Sequence, residues 1–427
     1  MNAHTAAAPR SSNLTSVITV GLLFFIFGFV TWLNGPLITF VKLAFDLDDI
    51  NAFLVPMAFY LSYFFLALPS SWILKRTGMK KGMSLGLFVM AVGALAFGQF
   101  ATMRVYPGAL TGLFVIGAGL SLLQTAVNPY ISILGPIESA AQRIAVMGIC
   151  NKTAGILAPL VLGALVLRGI GDLADKVALA DAAGKQALLN EFAARIHMPY
   201  LAMGVLLALL AAAVLRSSLP EIDAGEANSS GDTTQSSSRT VFQYPHLWLG
   251  VLCLFVYVGV EVMAGDAIGT YGQGFHLPLD ETKLFTAFTL TAMLLGYLLG
   301  LVTIPRFISQ ERYLAVSAIL GVAFTVGAYA TTGYVSVGFV AALGFANAMM
   351  WPAIFPLAIR GLGRFTELGS AFLIMGIAGG AIIPQLFAHL KSHYDFQAVF
   401  CALMLPCYLY IFYYAVRGYA AGMRRAA

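Results

Sequence analysis

Charged residues are scarce in this sequence. Lys, Arg, Asp and Glu together make up 10% of its 427 residues, whereas soluble domains carry about 25%. Because 59% of the residues are hydrophobic, the chain cannot cover itself with a polar surface. The composition excludes a soluble globular enzyme and a disordered protein. The net charge of +5 is too small for a nucleic-acid-binding surface, so no nucleic-acid partner is expected.

Cysteine and histidine are also rare. The four cysteines lie inside apolar stretches without the spacing of metal ligands, and the six histidines lie at segment ends or in loops. The apolar segments contain no nucleophile–base pair and no phosphate-binding loop. We therefore expect no catalytic residue and no cofactor, and a membrane enzyme is disfavoured.

Long apolar segments are what the sequence has instead. A membrane helix needs about 20 mostly apolar residues. The pattern predicts an all-α membrane protein with twelve transmembrane helices, here called spans 1 to 12. They cover residues 16–41, 51–74, 81–102, 108–134, 143–168, 198–216, 245–272, 283–304, 312–333, 335–360, 367–390 and 396–417.

The basic residues predict the orientation of the spans. If the N-terminus lies in the cytoplasm, fifteen of the 24 Lys and Arg residues fall on the cytoplasmic side and eight on the other. The remaining one, Lys152, lies within a span. Cytoplasmic loops carry the excess of positive charge in membrane proteins. We therefore expect both termini in the cytoplasm.

The segment between spans 6 and 7 is rich in Ser, Thr and Gly and reads as a flexible linker. It divides the chain into two bundles of six spans. The predicted units are a cytoplasmic tail (1–15), an N-terminal bundle (16–216), a cytoplasmic linker (217–244), a C-terminal bundle (245–417) and a cytoplasmic tail (418–427).

The two bundles are related in sequence. A shift of the chain by 231 positions places Gly28 opposite Gly259 and the basic segment 75–81 opposite 306–312. Further along, GILAP (155–159) meets GAIIP (380–384) at a smaller offset. The shared order of these matches predicts two parallel repeats, an arrangement that suits alternating access to a site at the middle of the membrane. It disfavours a channel.

Longer motifs carry a family resemblance: FGFVTWLNG (27–35), PSSWILKRTG (69–78), QTAVNPYISILGP (124–136), MGICNKTAGILAP (147–159) and YVGVEVMAGD (257–266). With them the chain resembles the fucose, glucose and galactose symporters of the major facilitator superfamily over nearly its whole length. The resemblance implies cation-driven sugar uptake across a bacterial inner membrane. It is nearest to carriers of glucose and galactose or of N-acetylglucosamine.

A few polar residues within the spans are candidates for sugar binding. An unpartnered amide in hydrocarbon costs several kcal/mol, and an amide supplies both the donor and the acceptor that a sugar hydroxyl needs. A flat aromatic ring suits the apolar face of a hexose; we expect Trp351 first and Trp32 second in that role. Bonding between neighbouring helices is the alternative use of such amides. The candidate amides are Asn34, Gln124, Asn128, Asn151 and Asn347.

Three ionisable residues lie within spans: Lys152, Glu261 and Asp266. Charges inside a membrane are functional candidates, with a structural ion pair as the alternative. The resemblance implies acids at the positions that Gly35 and Gln124 occupy here, so those proton carriers are absent. The shift of 231 places Asp266 opposite Gly35. We expect Asp266 to couple the ion and Glu261 to balance Lys152. A proton and a sodium ion bound at Asp266 remain equally open.

The loop between spans 2 and 3 carries Lys75, Arg76, Lys80 and Lys81. Its position predicts a role in a cytoplasmic gate, with Glu367 at the start of span 11 as the acidic partner. Topology signalling alone is the other explanation of this basic loop.

The sequence thus favours a monomeric sugar symporter embedded in the lipid bilayer, with a proton or sodium ion as the coupling ion. A sugar uniporter with structural charges is the nearest alternative. A sugar sensor that no longer transports is a third hypothesis, and it would need a signalling domain for which the linker and tail leave no room.

Overall fold

The computed structural model describes residues 10–133, 140–217, 219, 240–304 and 306–423. Within these residues every regular element is a helix. Twelve of the helical segments are long and apolar enough to cross a membrane, which confirms the predicted fold class. Their outer sides expose large apolar residues such as Leu165, Leu209 and Val302, because lipid replaces water as the solvent there.

Six of the twelve spans are single helices in the described residues, and six are divided. Span by span, the helices are Arg10–Thr31 and Asn34–Ala44; Asp49–Ala52 and Leu54–Thr77; Met79–Thr102; Tyr106–Ile133; Ala140–Leu165; His197–Arg216; Pro245–Gly265 and Ile268–Gln273; Leu279–Thr282 and Phe285–Thr303; Gln310–Ala330; Gly333–Asn347 and Met350–Ile359; Thr366–Met375 and Gly379–Leu390; and Phe396–Val416.

The two bundles have the same internal packing. Span 1 packs on span 5 and span 3 on span 6, just as span 7 packs on span 11 and span 9 on span 12. Glycine permits two of these contacts: a Cβ atom at Gly28 would lie 2.3 Å from the carbonyl oxygen of Asn151, and one at Gly259 would lie 2.1 Å from Cδ1 of Ile383. Small residues allow membrane helices to approach closely, so the repeat seen in the sequence is also a repeat of packing.

Spans 1 and 7 are interrupted at corresponding depths. Span 1 breaks at Trp32 and Leu33, and Pro36 then stands in the first turn of the new helix, where its missing N–H is not needed. Span 7 breaks after Gly265, at Asp266 and Ala267. The two breaks lie beside each other where the halves meet, since a Cβ atom at Gly35 would lie 3.2 Å from the Cα atom of Asp266.

The halves contact each other mainly through span 2 with span 11 and span 5 with span 8. We call the face at which span 1 begins and span 12 ends the terminal face, and the other the opposite face. At the opposite face Asp49 forms ion pairs with Lys42 (2.6 Å) and with Lys391. Lys42 also donates to Oε1 of Gln273 at 3.4 Å. These contacts join spans 1 and 2 to spans 7 and 11 at the opposite face.

The structure differs from the sequence expectations in two places. The first helix begins at Arg10, within the predicted tail 1–15. The segment between spans 5 and 6, expected as a loop, contains the helices Ile170–Leu179 and Ala182–Ala194. The first buries Ile170, which indicates an amphipathic helix at the surface. Most of the predicted linker 217–244 and the end of the predicted tail 418–427 lie outside the described residues.

The close approach of spans 7 and 11 gives a testable prediction. A Cβ atom at Gly379 would lie 1.8 Å from the carbonyl oxygen of Phe255, whereas one at Gly338 would meet nothing within 4 Å. We expect Gly379→Ala to destabilise the protein by about 1–3 kcal/mol through overpacking. Gly338→Ala should be neutral or stabilising, because Ala favours a helix over Gly by about 1 kcal/mol. Thermal unfolding of the purified variants in detergent measures both, and equal midpoints would contradict the packing.

Candidate functional site

A cavity lies at the centre of the molecule between the two halves. The cavity has a volume of about 90 Å³. Spans 1, 2, 4 and 5 of the first half and spans 7, 8, 10 and 11 of the second contribute to its wall. Aromatic rings dominate this wall, and between them stand a few amides and one pair of charges. Apolar walls with few polar groups are typical of small-molecule sites.

The charges in the wall are Lys152 and Glu261, which form an ion pair of 2.9 Å. Lys152 belongs to span 5 and Glu261 to span 7, so the pair joins the two halves. Both residues are buried, with 6% and 9% of their surface exposed. Burying one charge alone costs several kcal/mol. The pairing that the sequence suggested for Lys152 is therefore present, and Glu261 is its partner.

Trp32 lines the cavity and is held by contacts on several sides. The ammonium of Lys152 lies 4.3 Å from the centre of its ring, and its indole N–H donates to Oδ1 of Asn151 at 3.2 Å. Cβ atoms at Gly155 and Gly265 would each come within 2.5 Å of the indole. The ring thus fills a slot between one glycine of each half and forms part of the cavity wall.

The five candidate amides divide into two groups. Gln124, Asn128 and Asn151 line the cavity, where Gln124 donates to the hydroxyl of Tyr63 at 3.0 Å. The structure does not bring the other two, Asn34 and Asn347, to the cavity wall.

These two amides bond within the protein. Asn34 donates to the carbonyl of Thr31 at 3.0 Å, so it caps the break in span 1. Asn347 accepts from the hydroxyl of Tyr408 at 2.9 Å, which ties span 10 to span 12. Asn347 thus acts as an interhelical bond, the alternative that the sequence had left open.

Trp351 is the aromatic residue that span 10 contributes to the cavity wall. It lines the cavity, is half-buried, and stacks on Phe355 with 5.9 Å between the ring centres. A second aromatic thus holds its ring orientation from behind. A flat, pre-oriented ring suits the C–H face of a pyranose.

Asp266 lies one layer outside the cavity. It is buried at the break of span 7, with 2% of its surface exposed. Tyr60, which lines the cavity, donates its hydroxyl to Oδ2 of Asp266 at 3.2 Å. A Cβ atom at Gly35 would lie 3.3 Å from Oδ1 of Asp266, so the residue opposite Asp266 in the repeat also contacts it in space. Thr286 donates to the carbonyl of Gly265 at 2.8 Å and steadies the break.

The four basic residues of the loop between spans 2 and 3 have different surroundings. Lys75 approaches Glu367 at 3.9 Å, a long contact with Lys75 60% exposed. Arg76 stacks over Trp72 at 3.8 Å. Lys80 donates to the carbonyl of Ser217 at 2.6 Å. Lys81 is exposed. Of the four, Lys75 is the residue that faces the predicted acid across the two halves.

Tyrosines are the site residues that the sequence analysis missed. Tyr60 and Tyr63 on span 2, Tyr257 on span 7 and Tyr297 on span 8 all line the cavity. Tyr60 and Tyr63 are three apart and therefore share one face of a helix. That spacing was visible in the sequence, but 18 tyrosines are spread through the chain, so it carried little weight.

Two related bundles of six spans around a central, aromatic-lined cavity define a membrane transporter of the major facilitator type. The chain belongs to this family: the model of the Major Facilitator Superfamily matches residues 20–384. The resemblance noted in the sequence is thereby confirmed, and so is the assignment as a multi-pass membrane protein that is a transporter and not an enzyme.

Individual relatives narrow the comparison. The chain is 32% identical over 420 residues to a glucose/galactose transporter of Brucella abortus biovar 1 (strain 9-941), covering 97% of each chain. It is 29% identical over 383 residues to the L-fucose-proton symporter of Escherichia coli (strain K12), covering 87% of this chain and 85% of that one. A crystal structure of the transporter FucP in the outward conformation matches with a TM-score of 0.75 at 25% identity, covering 95% and 98% of the two chains.

The ion pair in the cavity wall gives a prediction on stability. Lys152→Met and Glu261→Gln each leave one buried group without its partner, and each should destabilise the protein by about 3–5 kcal/mol. The double variant removes both charges and should recover much of that loss. Thermal unfolding of the three variants, combined as a double-mutant cycle, measures the coupling. Additive effects of the two substitutions would show that the pair contributes nothing.

Proposed function

We propose that this protein imports a neutral hexose of the glucose or galactose type together with a proton, by alternating access. The observation that carries the proposal is the pairing of a central aromatic and amide-lined cavity with a buried carboxylate, Asp266, one hydrogen bond away through Tyr60. The names of the relatives support both parts, since they include a glucose/galactose transporter and an L-fucose-proton symporter.

Sugar binding is assigned to the residues that line the cavity. Trp351 covers the apolar face of the ring, and Gln124, Asn128 and Asn151 bond to its hydroxyl groups. Lys152 adds a charged donor at the wall. Asn34 and Asn347 leave the proposed set of direct contacts, because their side chains bond to the protein outside the cavity.

A proton is favoured as the coupling ion because two of the relatives are named as proton symporters. Sodium coupling and uptake of N-acetylglucosamine are the further hypotheses that the transport assay separates. A uniporter is the remaining alternative, in which the buried charges only stabilise the halves.

The terminal face is proposed to be cytoplasmic, with the protein working as a monomer in a bacterial inner membrane. The predicted spans assign most of the Lys and Arg residues of the sequence to the side on which the chain begins and ends. There the contact of Lys75 with Glu367 joins span 2 to span 11 and serves as part of a cytoplasmic gate. Arg76, Lys80 and Lys81 contribute positive charge to the same loop.

The division of the amides predicts their effects on binding. We expect Asn128→Ala and Asn151→Ala to weaken sugar binding by about 1–3 kcal/mol each, since a sugar hydroxyl is left without its partner. Asn347→Ala is the matched control: it removes a bond to Tyr408 and should leave sugar affinity unchanged. Glucose and galactose affinities of folded variants in detergent measure this. Unchanged affinity in Asn128→Ala and Asn151→Ala would remove both from the site.

If Asp266 carries the coupling proton, its substitution should abolish sugar accumulation but not sugar exchange. Asp266→Asn keeps the shape and the hydrogen bonding but cannot bind and release a proton. In proteoliposomes this variant should exchange sugar between equal pools while losing uptake against a gradient. Imposed proton and sodium gradients, each with glucose, galactose and N-acetylglucosamine, identify the ion and the sugar. Accumulation by Asp266→Asn at the wild-type level would contradict the role of Asp266, and loss in Glu261→Gln alone would transfer it to Glu261.

A further inference from the structure

Tyr60 is the residue that touches both the cavity and the proposed proton carrier. Asp266 is not among the residues that line the cavity. The ring of Tyr60 lines the cavity, and its hydroxyl donates to Oδ2 of Asp266 at 3.2 Å. Tyr60 belongs to span 2 and Asp266 to span 7, so this bond also crosses from one half to the other.

The donor and acceptor capacity of the Tyr60 hydroxyl decides which of the two residues donates in this hydrogen bond. A phenol has one proton to donate and an oxygen that accepts. While Asp266 is ionised, its carboxylate accepts only, so the proton of Tyr60 must point at Asp266 and away from the cavity.

Protonation of Asp266 changes this arrangement. A neutral carboxyl group has an O–H of its own to donate, and Tyr60 is the hydroxyl within its reach. When the acid donates to the oxygen of Tyr60, the phenolic proton is released to rotate toward the cavity. No bond other than these hydrogen bonds changes, and the added proton stays on Asp266.

We propose, building on the proposed function, that Tyr60 couples sugar to proton by reversing its hydrogen bond: it donates to Asp266 when the acid is ionised and to a hydroxyl of the sugar when the acid is protonated. Tyr60 is thus both a sugar ligand and a sensor of the proton. Because such coupling is reciprocal, bound sugar also favours the protonated form of Asp266.

Other groups near Asp266 influence its charged state electrostatically but take no part in the reversed hydrogen bond. Glu261 lies on the same span and Lys152 on span 5, and both are close enough to act electrostatically. They are paired with each other at 2.9 Å, so each largely offsets the effect of the other. Gly35 contributes only backbone. Tyr60 is the residue that both lines the cavity and hydrogen-bonds to Asp266.

The test measures sugar affinity as a function of pH. D-glucose binding to the purified protein is titrated calorimetrically across a pH series, and proton uptake on sugar addition is followed in weak buffer. The wild-type affinity should rise on the order of tenfold as Asp266 takes up its proton at lower pH. In Tyr60→Phe the ratio of the sugar affinity at low pH to that at high pH should fall to about one. Proton uptake per bound sugar should vanish.

Tyr63→Phe is the matched control. Tyr63 lies one turn away on the same helix, lines the same cavity and bonds to Gln124 instead of Asp266. Its variant is allowed a changed affinity but should keep the wild-type dependence on pH. Thermal unfolding and sugar counterflow verify that each variant is folded. If Tyr60→Phe does not fold, Tyr60→Leu, which also lacks the hydroxyl, is measured in its place.

The outcomes separate this inference from the proposed function. If Tyr60→Phe retains the wild-type ratio of affinities while Asp266→Asn loses it, Asp266 carries the proton and the reversal at Tyr60 is overturned. If Asp266→Asn itself still binds sugar in a pH-dependent way, the proton carrier lies elsewhere and the proposed function fails first. Loss of the ratio in both variants, and its retention in Tyr63→Phe, supports the reversal.

Discussion

The crossing of spans 1 and 7 is the constraint on which the centre of this molecule depends. At Gly35 and Asp266 the two helices approach so closely that a Cβ atom on Gly35 would lie 3.2 Å from the Cα atom of Asp266. Just beside it, Trp32 fills a slot bounded by Gly155 and Gly265. This approach depends on glycine, since a side chain at Gly35 would force the halves apart.

The structure holds its two central carboxylates in different surroundings. Glu261 meets an ammonium at 2.9 Å, whereas Asp266 meets a neutral phenol and the backbone of a glycine. A buried carboxylate beside a cation is stabilised in its charged form, and one with only neutral donors keeps more of the cost of desolvation. This difference suits one acid for a fixed ion pair and the other for gaining and losing a proton. Two acids five positions apart have different surroundings because Glu261 lies within the first helix of span 7 and Asp266 lies at the break that follows it.

Much of the fold could be predicted from the sequence, because apolar length and the repeat of 231 residues are strong signals. The need of Lys152 for an acid could also be predicted, since an unpaired buried ammonium is costly. The orientation of single amides could not. A break such as the one at Trp32 and Leu33 changes which face of a span a residue occupies, so Asn34, the first residue after that break, bonds back to Thr31 of the preceding helix. Asn347 ends the first helix of span 10 and bonds to Tyr408 on span 12, a distant partner that no local pattern indicates.

The spacing of 231 positions between contacting residues has a consequence for the ancestry of the fold. Gly35 meets Asp266, and Lys42 donates to Gln273; both pairs are separated by that number. Only residues on a two-fold axis can touch their own counterparts. If two identical subunits assembled in this way, a lysine at position 42 would face a second lysine, and an aspartate at position 266 would face a second aspartate with no room for either. Joining the halves in one polypeptide frees such axial positions to become unlike, so the axis can hold one lysine or one aspartate in place of a pair of like charges.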